Sequence, residues 1–365
     1  MAGSTLGKNF TITTWGESHG EALGVVIDGV PAGLELCEQD IQEFLDRRKP
    51  GSNPLSTPSK EDDTARILSG VFEGKTTGTP ISVMVMNTSQ KSADYSEIAS
   101  YYRPGHADFT FDSKYGFRDY RGGGRSSGRE TIGRVAAGAV ASKILKELGI
   151  SVEAYTSAIG PISADLSGYS RELVLSLPTA MPDKNANDLA MEYVAKTREQ
   201  YDSVGGVMEC RINGLLAGIG EPVFNKLDAA LSGAVMSIGA VKAVEIGDGI
   251  AVSKSLGSEN NDEFCIKEGK VSKKTNHSGG ILGGISDGSE ILVRAHVKPT
   301  PSIFKPQNTV NKDNEEISVQ IKGRHDPIIV PRAVVVMESM CAITLLDLMM
   351  SNMSSTLEGI KRFYL

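Results

Sequence analysis

The chain has 365 residues, enough for one large domain that buries roughly three-quarters of its unfolded surface. Its 38 Lys and Arg face 45 Asp and Glu, and the net charge of −7 argues against a nucleic-acid surface or a binder of anionic membranes. The four cysteines are far apart and form no CxxC pair, so neither a zinc knuckle nor a disulfide framework is predicted.

The N-terminus and the most apolar stretch both indicate a soluble protein. Met1 to Lys8 lacks the apolar core of a signal peptide, and Ala333 to Met350 carries Glu338 and Asp347. The cysteine usage fits a reducing compartment. We therefore expect a cytoplasmic protein that does not span a membrane.

Hydrophobic periodicity predicts the order of the secondary-structure elements. Alternating apolar and polar residues predict strands, and apolar residues at helical spacing predict helices. Strands are predicted at Phe10 to Trp15, Ala22 to Val30, Arg66 to Phe72, Ile81 to Met86, Val152 to Ile159, Val207 to Ile212, Ala243 to Ile246, Glu290 to Val297 and Ile317 to Ile321. Helices are predicted at Cys37 to Arg48, Ile132 to Leu148, Asn187 to Gln200, Lys226 to Ile238 and Ala333 to Met350.

The sequence of these elements indicates the fold class. Strands come in clusters separated by single helices, without strict βαβ alternation, which favours an α+β fold with mainly antiparallel sheets. The most polar segments, Gly257 to Asn276 and Pro306 to Glu316, are short enough to be surface loops. We predict a single domain over residues 1–365.

The segment from Arg103 to Arg134 is a dense basic run, with seven Arg or Lys against four Asp or Glu. Neither Gly122 to Gly128 nor Gly279 to Gly284 contains a G-x-G-x-x-G or G-x-x-x-x-G-K-[ST] pattern, which disfavours Rossmann and P-loop sites. Glycines that expose backbone N–H groups, with Ser126 and Ser127 beside them, suit a phosphate or carboxylate. Solvated faces and structural ion pairs explain the composition about equally well.

Two of the five histidines lie in glycine-bounded loops and are candidates for proton transfer. His19 lies in Gly16 to Gly20, and His106 lies in Arg103-Pro104-Gly105-His106-Ala107-Asp108. A single loop histidine is more often a surface or structural residue, so these positions alone raise the functional odds only modestly. His277, which precedes two glycine pairs, indicates a hairpin as much as a site.

Three further positions combine polar groups with a constrained setting. Lys298-Pro299-Thr300-Pro301-Ser302 leaves a lysine and two hydroxyls free to face an anion, or is a rigid strand exit. Gly323-Arg324-His325-Asp326-Pro327 is a charged site or a structural Asx-turn. Asp347 stands among leucines and methionines, and it faces either a polar site or the wet edge of its helix.

Taken together, five segments resemble the signature set of the chorismate synthase family, in the same order and over nearly the whole chain. They are Gly16-Glu17-Ser18-His19-Gly20, Arg103-Pro104-Gly105-His106-Ala107-Asp108, Arg121 to Arg129, Lys298-Pro299-Thr300-Pro301-Ser302 and Gly323-Arg324-His325-Asp326-Pro327. Five such strings in series are far more specific than any one of them. The resemblance implies a β-α-β sandwich, with helices between antiparallel sheets, that assembles as a homotetramer.

The resemblance also implies a chemistry. Members of this family convert 5-enolpyruvylshikimate 3-phosphate to chorismate by an anti-1,4 elimination of phosphate, the last common step of the shikimate pathway to the aromatic amino acids. The reaction needs reduced FMN as a transient electron donor. No segment resembles a flavin reductase, so we expect a monofunctional enzyme that depends on NADPH only indirectly, through a separate flavin reductase.

Roles carry over to the matching positions. His19 resembles the histidine that protonates the departing phosphate, His106 the one that supports the reduced flavin, and Asp347 the aspartate implicated in proton removal. Nearby anions should favour the protonated form of both histidines. Positions that resemble FMN-binding residues are Arg125, Ser126, Ser127, Gly239, Ala240, Gly283, Lys298, Pro299, Thr300, Pro301, Ser302 and Arg324, and those that resemble substrate-binding residues are Arg48, Arg103 and Arg129.

One stretch departs from the family pattern. Many relatives carry further arginines after the position of Arg48, whereas this chain has Ser52-Asn53-Pro54 and Ser59-Lys60. Contacts to substrate or NADPH near these residues are therefore left unassigned.

Two other functions fit a basic pocket on the same fold. A flavin oxidoreductase would consume NADPH in step with substrate turnover, whereas a lyase needs the flavin only catalytically. A non-catalytic binder of flavin or a phosphometabolite would not need His19, His106 and Asp347 together.

Overall fold

The computed structural model describes residues 3–49, 51, 55, 62–88, 97–321 and 326–365. Its strands are β1 (Thr5–Leu6), β2 (Thr11–Trp15), β3 (Ala22–Asp28), β4 (Arg66–Ile67), β5 (Val71–Phe72), β6 (Lys75–Thr76), β7 (Ile81–Met86), β8 (Ser151–Ile159), β9 (Ile162–Ser163), β10 (Gly206–Asn213), β11 (Val241–Ile246), β12 (Phe264–Lys267), β13 (Lys270–Lys273), β14 (Ile281–Leu282), β15 (Ile285–Ser286), β16 (Ile291–Val297), β17 (Gln307–Val310) and β18 (Glu316–Val319). Its α-helices are α1 (Glu38–Arg48), α2 (Asp108–Tyr115), α3 (Thr131–Glu147), α4 (Arg171–Ser176), α5 (Lys184–Glu199), α6 (Leu227–Met236), α7 (Gly257–Asn260), α8 (Val330–Asn352) and α9 (Leu357–Tyr364).

Two five-stranded antiparallel sheets form the outer layers. The first has the strand order β1-β2-β3-β7-β4, and the second has the order β11-β16-β10-β8-β9. In the first sheet, β2 and β3 are joined by the short turn that carries His19, and Trp15 lies opposite Gly24. The sheets bury their apolar side chains on the faces that look toward each other.

The helices fill the space between the two sheets. Helix α3 contacts β2, β3 and β7 of the first sheet, whereas α8 packs on β8 and β10 of the second. Helices α1 and α6 complete this layer against α8. The predicted α+β fold, with helices between antiparallel sheets, is confirmed.

Helices α3 and α8 approach each other closely in the core. A Cβ atom at Gly138 would lie 2.1 Å from the Cβ of Ser339, so only glycine allows this approach. Among the described residues, α8 is the one helix long and apolar enough to cross a membrane, and 83% of its most apolar window is buried inside the fold. It is therefore placed as a core helix.

Most predicted strands and helices are confirmed to within a few residues, and one is wrong. Arg66 to Phe72 does not form a single strand, because the chain bends at Ser69 and Gly70. The residues before the bend form β4 and pair with β7, whereas those after it form a hairpin with β6. Helices α2, α4, α7 and α9 had no predicted counterpart.

Candidate functional site

A cavity of about 650 Å³ lies where α3 and α8 begin. Its walls come from the turn after β2, the end of α1, the loops before α2 and α3, the junction of α6 and β11, the loop after β16 and the first turns of α8. The volume falls within the roughly 300–1,000 Å³ of small-molecule sites. The predicted site residues that line it are His19, Arg48, Arg103, His106, Arg125, Ser126, Ser127, Gly239, Ala240, Lys298, Thr300, Pro301 and Ser302.

The lining of the cavity is strongly cationic. Its basic side chains are those of Arg48, Arg103, Arg125, Arg134, Lys298 and Arg332. Glu130 is the one carboxylate among the described lining residues, and its oxygens are engaged by Thr14 at 3.0 Å and by Arg134 at 2.9 Å. The N-terminal ends of α3 and α8 add positive potential. Such a surface attracts a multiply charged anion.

Gly122 brings the arginine-rich segment up to His19. Its φ is +73°, and a Cβ atom there would lie 2.6 Å from the His19 ring and 2.9 Å from Ser18 Oγ. Ser127 then caps a short 3₁₀ turn by accepting the N–H of Arg129 at 3.3 Å. Only glycine allows this wall of the cavity to touch the imidazole.

His19 faces the cavity beside the hydroxyl of Ser18, whose Oγ lies 3.1 Å from the ring Nδ1. Burial lowers the pKa of His19 below its usual value, Asp119 opposes this effect, and the positive charges of Arg121 and Arg129 add to it. Without a bound anion, the ring is therefore neutral at neutral pH. An anion beside the ring would stabilise its protonated form.

His106 connects two motifs that are far apart in sequence. Its Nε2 lies 2.7 Å from Ser302 Oγ, and Lys298 Nζ donates to the carbonyl of Gly105 at 2.9 Å. Ser203 holds the Lys298 to Ser302 loop by donating its hydroxyl to the Thr300 carbonyl at 2.6 Å. The imidazole is thus fixed against the Lys298 to Ser302 loop.

Arg103 is oriented by a carboxylate behind it. Its Nε and Nη2 donate to Asp108 at 2.8 and 2.7 Å, and Nη2 also donates to the Gly122 carbonyl at 2.9 Å. Burial would raise the pKa of Asp108, but the hydrogen bonds and charge of Arg103 hold it below its usual value. Asp108 therefore stays ionised and fixes the guanidinium at the cavity wall.

Arg48 and Arg129 share one buried carboxylate, that of Asp63. Arg48 Nη2 lies 2.6 Å from Asp63 Oδ2, and Arg129 Nη1 lies 3.0 Å from Oδ1. Arg129 itself is not part of the cavity lining. Burial, Arg48 and Arg332 together lower the pKa of Arg129 to about 9, so it remains a cation at neutral pH among other cations.

Arg125 lines the cavity, but its guanidinium binds the protein. Nη1 donates to the Gly16 carbonyl at 3.0 Å, and Nη2 donates to the carbonyl and hydroxyl of Thr14 at 3.1 and 2.7 Å. These contacts hold the turn that carries His19. Its expected contact with FMN would therefore have to use other atoms of the residue.

Asp347, which the resemblance implicates in proton removal, lies outside the lining of this cavity. Its Oδ1 accepts the backbone N–H groups of Lys8, Asn9 and Phe10 at 2.9, 2.6 and 3.0 Å. It stands three turns along α8 from Val336, the last α8 residue in the lining. The carboxylate holds the segment before β2, and its position gives no support to a part in proton removal.

Two predicted FMN-binding residues lie outside the cavity lining, and a third lies outside the described residues. Gly283 lies in the β14–β15 turn and Pro299 in the loop after β16, and neither belongs to the cavity lining. Arg324 lies outside the described residues, as do Ser52-Asn53-Pro54 and Ser59-Lys60.

Sequence reasoning missed several residues that the structure places here. Arg134 forms an i,i+4 pair with Glu130 and donates to Ser237 at 2.6 Å, and its spacing from Glu130 was a usable signal. Arg332 bonds to the carbonyl of Arg48 at 3.0 Å and to Asp326. Asp63 gave no local signal, because its partners come from distant parts of the chain.

Comparisons with known proteins agree with the resemblance seen in the sequence. The profile of the family described as "Chorismate synthase" matches residues 10–350. The chain is 64% identical over 364 residues to chorismate synthase of Lachnospira eligens, covering 100% of both chains, and 64% identical over 365 residues to that of Lachnoclostridium phytofermentans. A crystal structure of chorismate synthase matches with a TM-score of 0.77 at 30% identity, covering 98% of this chain and 97% of that one.

Proposed function

This chain belongs to the chorismate synthase family of carbon–oxygen lyases, and we propose that it converts 5-enolpyruvylshikimate 3-phosphate to chorismate with reduced FMN. The reaction removes phosphate and a ring hydrogen, so no net oxidation occurs. The observation that carries the proposal is a single cavity that combines two histidines with a surplus of arginines. Each side chain has a matching task.

The surplus of positive charge suits this substrate. Its phosphate and two carboxylates require several cations, and arginine can bind each group through two hydrogen bonds. We assign Arg48 and Arg103 to direct contact, with Arg129 behind them, and we add Arg332 from its place in the lining. The helix N-termini of α3 and α8 contribute in the same sense.

His19 is assigned to protonate the departing phosphate. The unliganded ring resists protonation, because burial and nearby arginines lower its pKa. A bound phosphate would reverse this preference and place the proton where the leaving group needs it. Ser18 Oγ, 3.1 Å from Nδ1, holds the ring in place.

FMN matches the donor set of the cavity. The backbone of Gly239 and Ala240, the hydroxyls of Ser126 and Ser127, and the Lys298 to Ser302 loop would hold it. When bound in its reduced form, FMN supplies transient electron donation that helps expel phosphate. His106, fixed by Ser302 at 2.7 Å, would stabilise the charge of the reduced ring system by a hydrogen bond.

The ring proton is not assigned to a residue of this chain. Asp347 is occupied by three backbone N–H groups outside the cavity. Glu130 lines the cavity, but Thr14 and Arg134 hold its oxygens in the protein. The role of Asp347 in proton removal stays a prediction of the family resemblance, since its three bonds engage only Oδ1.

The cellular setting is part of the same proposal. We propose a cytoplasmic homotetramer whose FMN is reduced by a separate, NADPH-dependent flavin reductase. The family relationship over the full length of the relatives supports this assignment. No role for nucleic acid or membrane is included.

An anaerobic assay tests the proposed reaction. Purified protein, chemically reduced FMN and 5-enolpyruvylshikimate 3-phosphate should yield chorismate and phosphate in equal amounts, with the FMN still reduced at the end. Persistent inactivity of correctly folded protein would exclude the lyase. Oxidation of one reduced FMN per substrate converted would indicate an oxidoreductase instead.

A further inference from the structure

Asp63 occupies an unusual place behind the cavity. Its side chain is fully buried, and its backbone adopts φ = +46°, a conformation that costs energy for a residue other than glycine. Gln42 of α1 holds the surrounding loop through its amide oxygen, which accepts the N–H of Ala65 at 3.0 Å. A strained, fully buried carboxylate is retained only where its surroundings fix it strongly.

The two oxygens of Asp63 are divided between two arginines. Oδ2 binds Arg48 at 2.6 Å, and Oδ1 binds Arg129 at 3.0 Å. Arg48 comes from the end of α1, and Arg129 comes from the 3₁₀ turn before α3. The carboxylate thus fixes the distance between two guanidinium groups that belong to separate elements.

Repulsion between these cations makes such a link necessary. Arg48 is 2% exposed, and its guanidinium also donates to the Gly128 carbonyl at 3.2 Å. Burial lowers the pKa of Arg48, whereas Asp63 raises it. Without the carboxylate, two buried positive charges would face each other, and their side chains would have to move apart.

We infer that Asp63 is a positioning residue for the phospho-substrate: together with Arg129, which lies behind the cavity lining, it presets the Arg48 guanidinium so that Arg48 binds an anion in the cavity. The inference rests on the proposed function for the identity of that anion. Bidentate binding by arginine depends on orientation, so displacement of the Arg48 guanidinium weakens it. Asp63 does not touch the substrate and acts only through the two arginines.

A simple counterion would behave in the opposite way. If Asp63 only neutralised charge, its removal would leave the cavity more positive, and anions would bind more tightly. If it were only structural, anion binding by the folded protein would not change. Positioning alone predicts weaker binding.

The test is titration of inorganic phosphate into the full-length protein, wild type and Asp63→Asn, followed by calorimetry. We expect phosphate affinity to fall by about tenfold or more, as for the loss of a charge-assisted hydrogen bond. KM for the substrate should rise by a similar factor, with kcat changed much less, because binding contacts are lost. Unchanged or tighter phosphate binding would overturn the inference.

Asp63→Glu keeps the charge and covers the case in which the asparagine variant does not fold. Its carboxylate is displaced by one methylene group, so we again expect weaker phosphate binding, whereas a counterion would leave the affinity unchanged. Glu209→Gln is the matched control, because Glu209 is also a buried carboxylate shared by two partners, Tyr155 and Arg294. It should not change phosphate affinity, and an equal loss in this variant would contradict a specific role for Asp63.

The phosphate titration also separates this inference from the proposed function. If the wild type binds phosphate but makes no chorismate, the lyase proposal fails while Asp63 can still be tested. If wild type and Asp63 variants share the same phosphate affinity and the same KM, the positioning role is excluded whatever the reaction.

Discussion

Two clusters of polar side chains in this molecule differ in how their charges are balanced. Across the second sheet, Tyr155, Glu209, Arg294 and Glu245 lie opposite one another on neighbouring strands. Tyr155 donates to Glu209 at 2.7 Å, and Arg294 donates to Glu209 and Glu245 at 2.8 Å each. We call these four residues the sheet row. Each of its charged groups has a partner within the protein.

The cavity is built from the same residue types with the opposite balance. In the sheet row, burial would lower the pKa of Arg294, but Glu209 and Glu245 outweigh burial and raise it. Directly behind the cavity lining, burial and the charges of Arg48 and Arg332 instead lower the pKa of Arg129 to about 9. A balanced cluster stabilises the fold, whereas a surplus of buried cations indicates a place where an anion completes the site.

The largest expected effect is the loss of His106, which tests the cavity side of this comparison. His106→Ala should lower turnover by about 10²- to 10⁴-fold, the range for a lost group that transfers or holds a proton. Steady-state kinetics with reduced FMN measure this. Near-normal turnover would remove His106 from the mechanism.

The sheet row should respond in stability and not in activity. Glu209→Gln weakens its hydrogen bonds to Tyr155 and Arg294, and we expect the free energy of unfolding to fall by about 1–3 kcal/mol. Urea unfolding measures this change. Because the row lies away from the cavity lining, kcat/KM should stay at the wild-type value; a large fall in kcat/KM would break the comparison.

Asp347 should behave like the sheet row, although the family resemblance assigned it to catalysis. Asp347→Asn keeps an oxygen for the N–H groups of Lys8, Asn9 and Phe10 but loses the charge, so unfolding free energy should fall by about 1 kcal/mol. Turnover should be unchanged. A loss of activity as large as that of His106→Ala would return Asp347 to the mechanism.

The smallest expected effect is a shift in the pH at which kcat/KM falls. His19 must be protonated to act, and burial lowers its pKa in the free protein, so kcat/KM should fall as pH rises through a value below the usual range for histidine. A bound phosphate raises this pKa, so kcat should fall only at higher pH. If kcat/KM and kcat fell at the same pH, or if the fall in kcat/KM persisted in His19→Gln, the result would contradict this coupling.

The fold was largely predictable because its elements have clear periodicity. The strands predicted at Ile81 to Met86 and Glu290 to Val297 alternate between buried and less buried residues, and α8 is apolar on nearly all sides. The bend at Ser69 and Gly70 was missed because the apolar residues on both sides of it read as one strand. Register and sheet order depend on pairings that a single sequence does not contain.

The site was predictable where motifs are local and not where partners are distant. The basic run contains both outcomes that its composition allowed: Arg103 and Arg134 line the cavity, whereas Arg118 and Arg121 lie outside its lining, in ion pairs with Asp112 and Asp119. Only the folded structure separates these groups, because exposure and pairing are tertiary properties. The same holds for Asp63, whose importance comes from Arg48 and Arg129.

A crystal structure of the ternary complex with FMN and 5-enolpyruvylshikimate 3-phosphate tests the central claim most directly. We predict that both ligands occupy this cavity, with the substrate phosphate within hydrogen-bond distance of His19 and its anionic groups on Arg48 and Arg103. The flavin should lie against His106 and the Lys298 to Ser302 loop. Ligands bound elsewhere, or a phosphate remote from His19 and these arginines, would contradict the account.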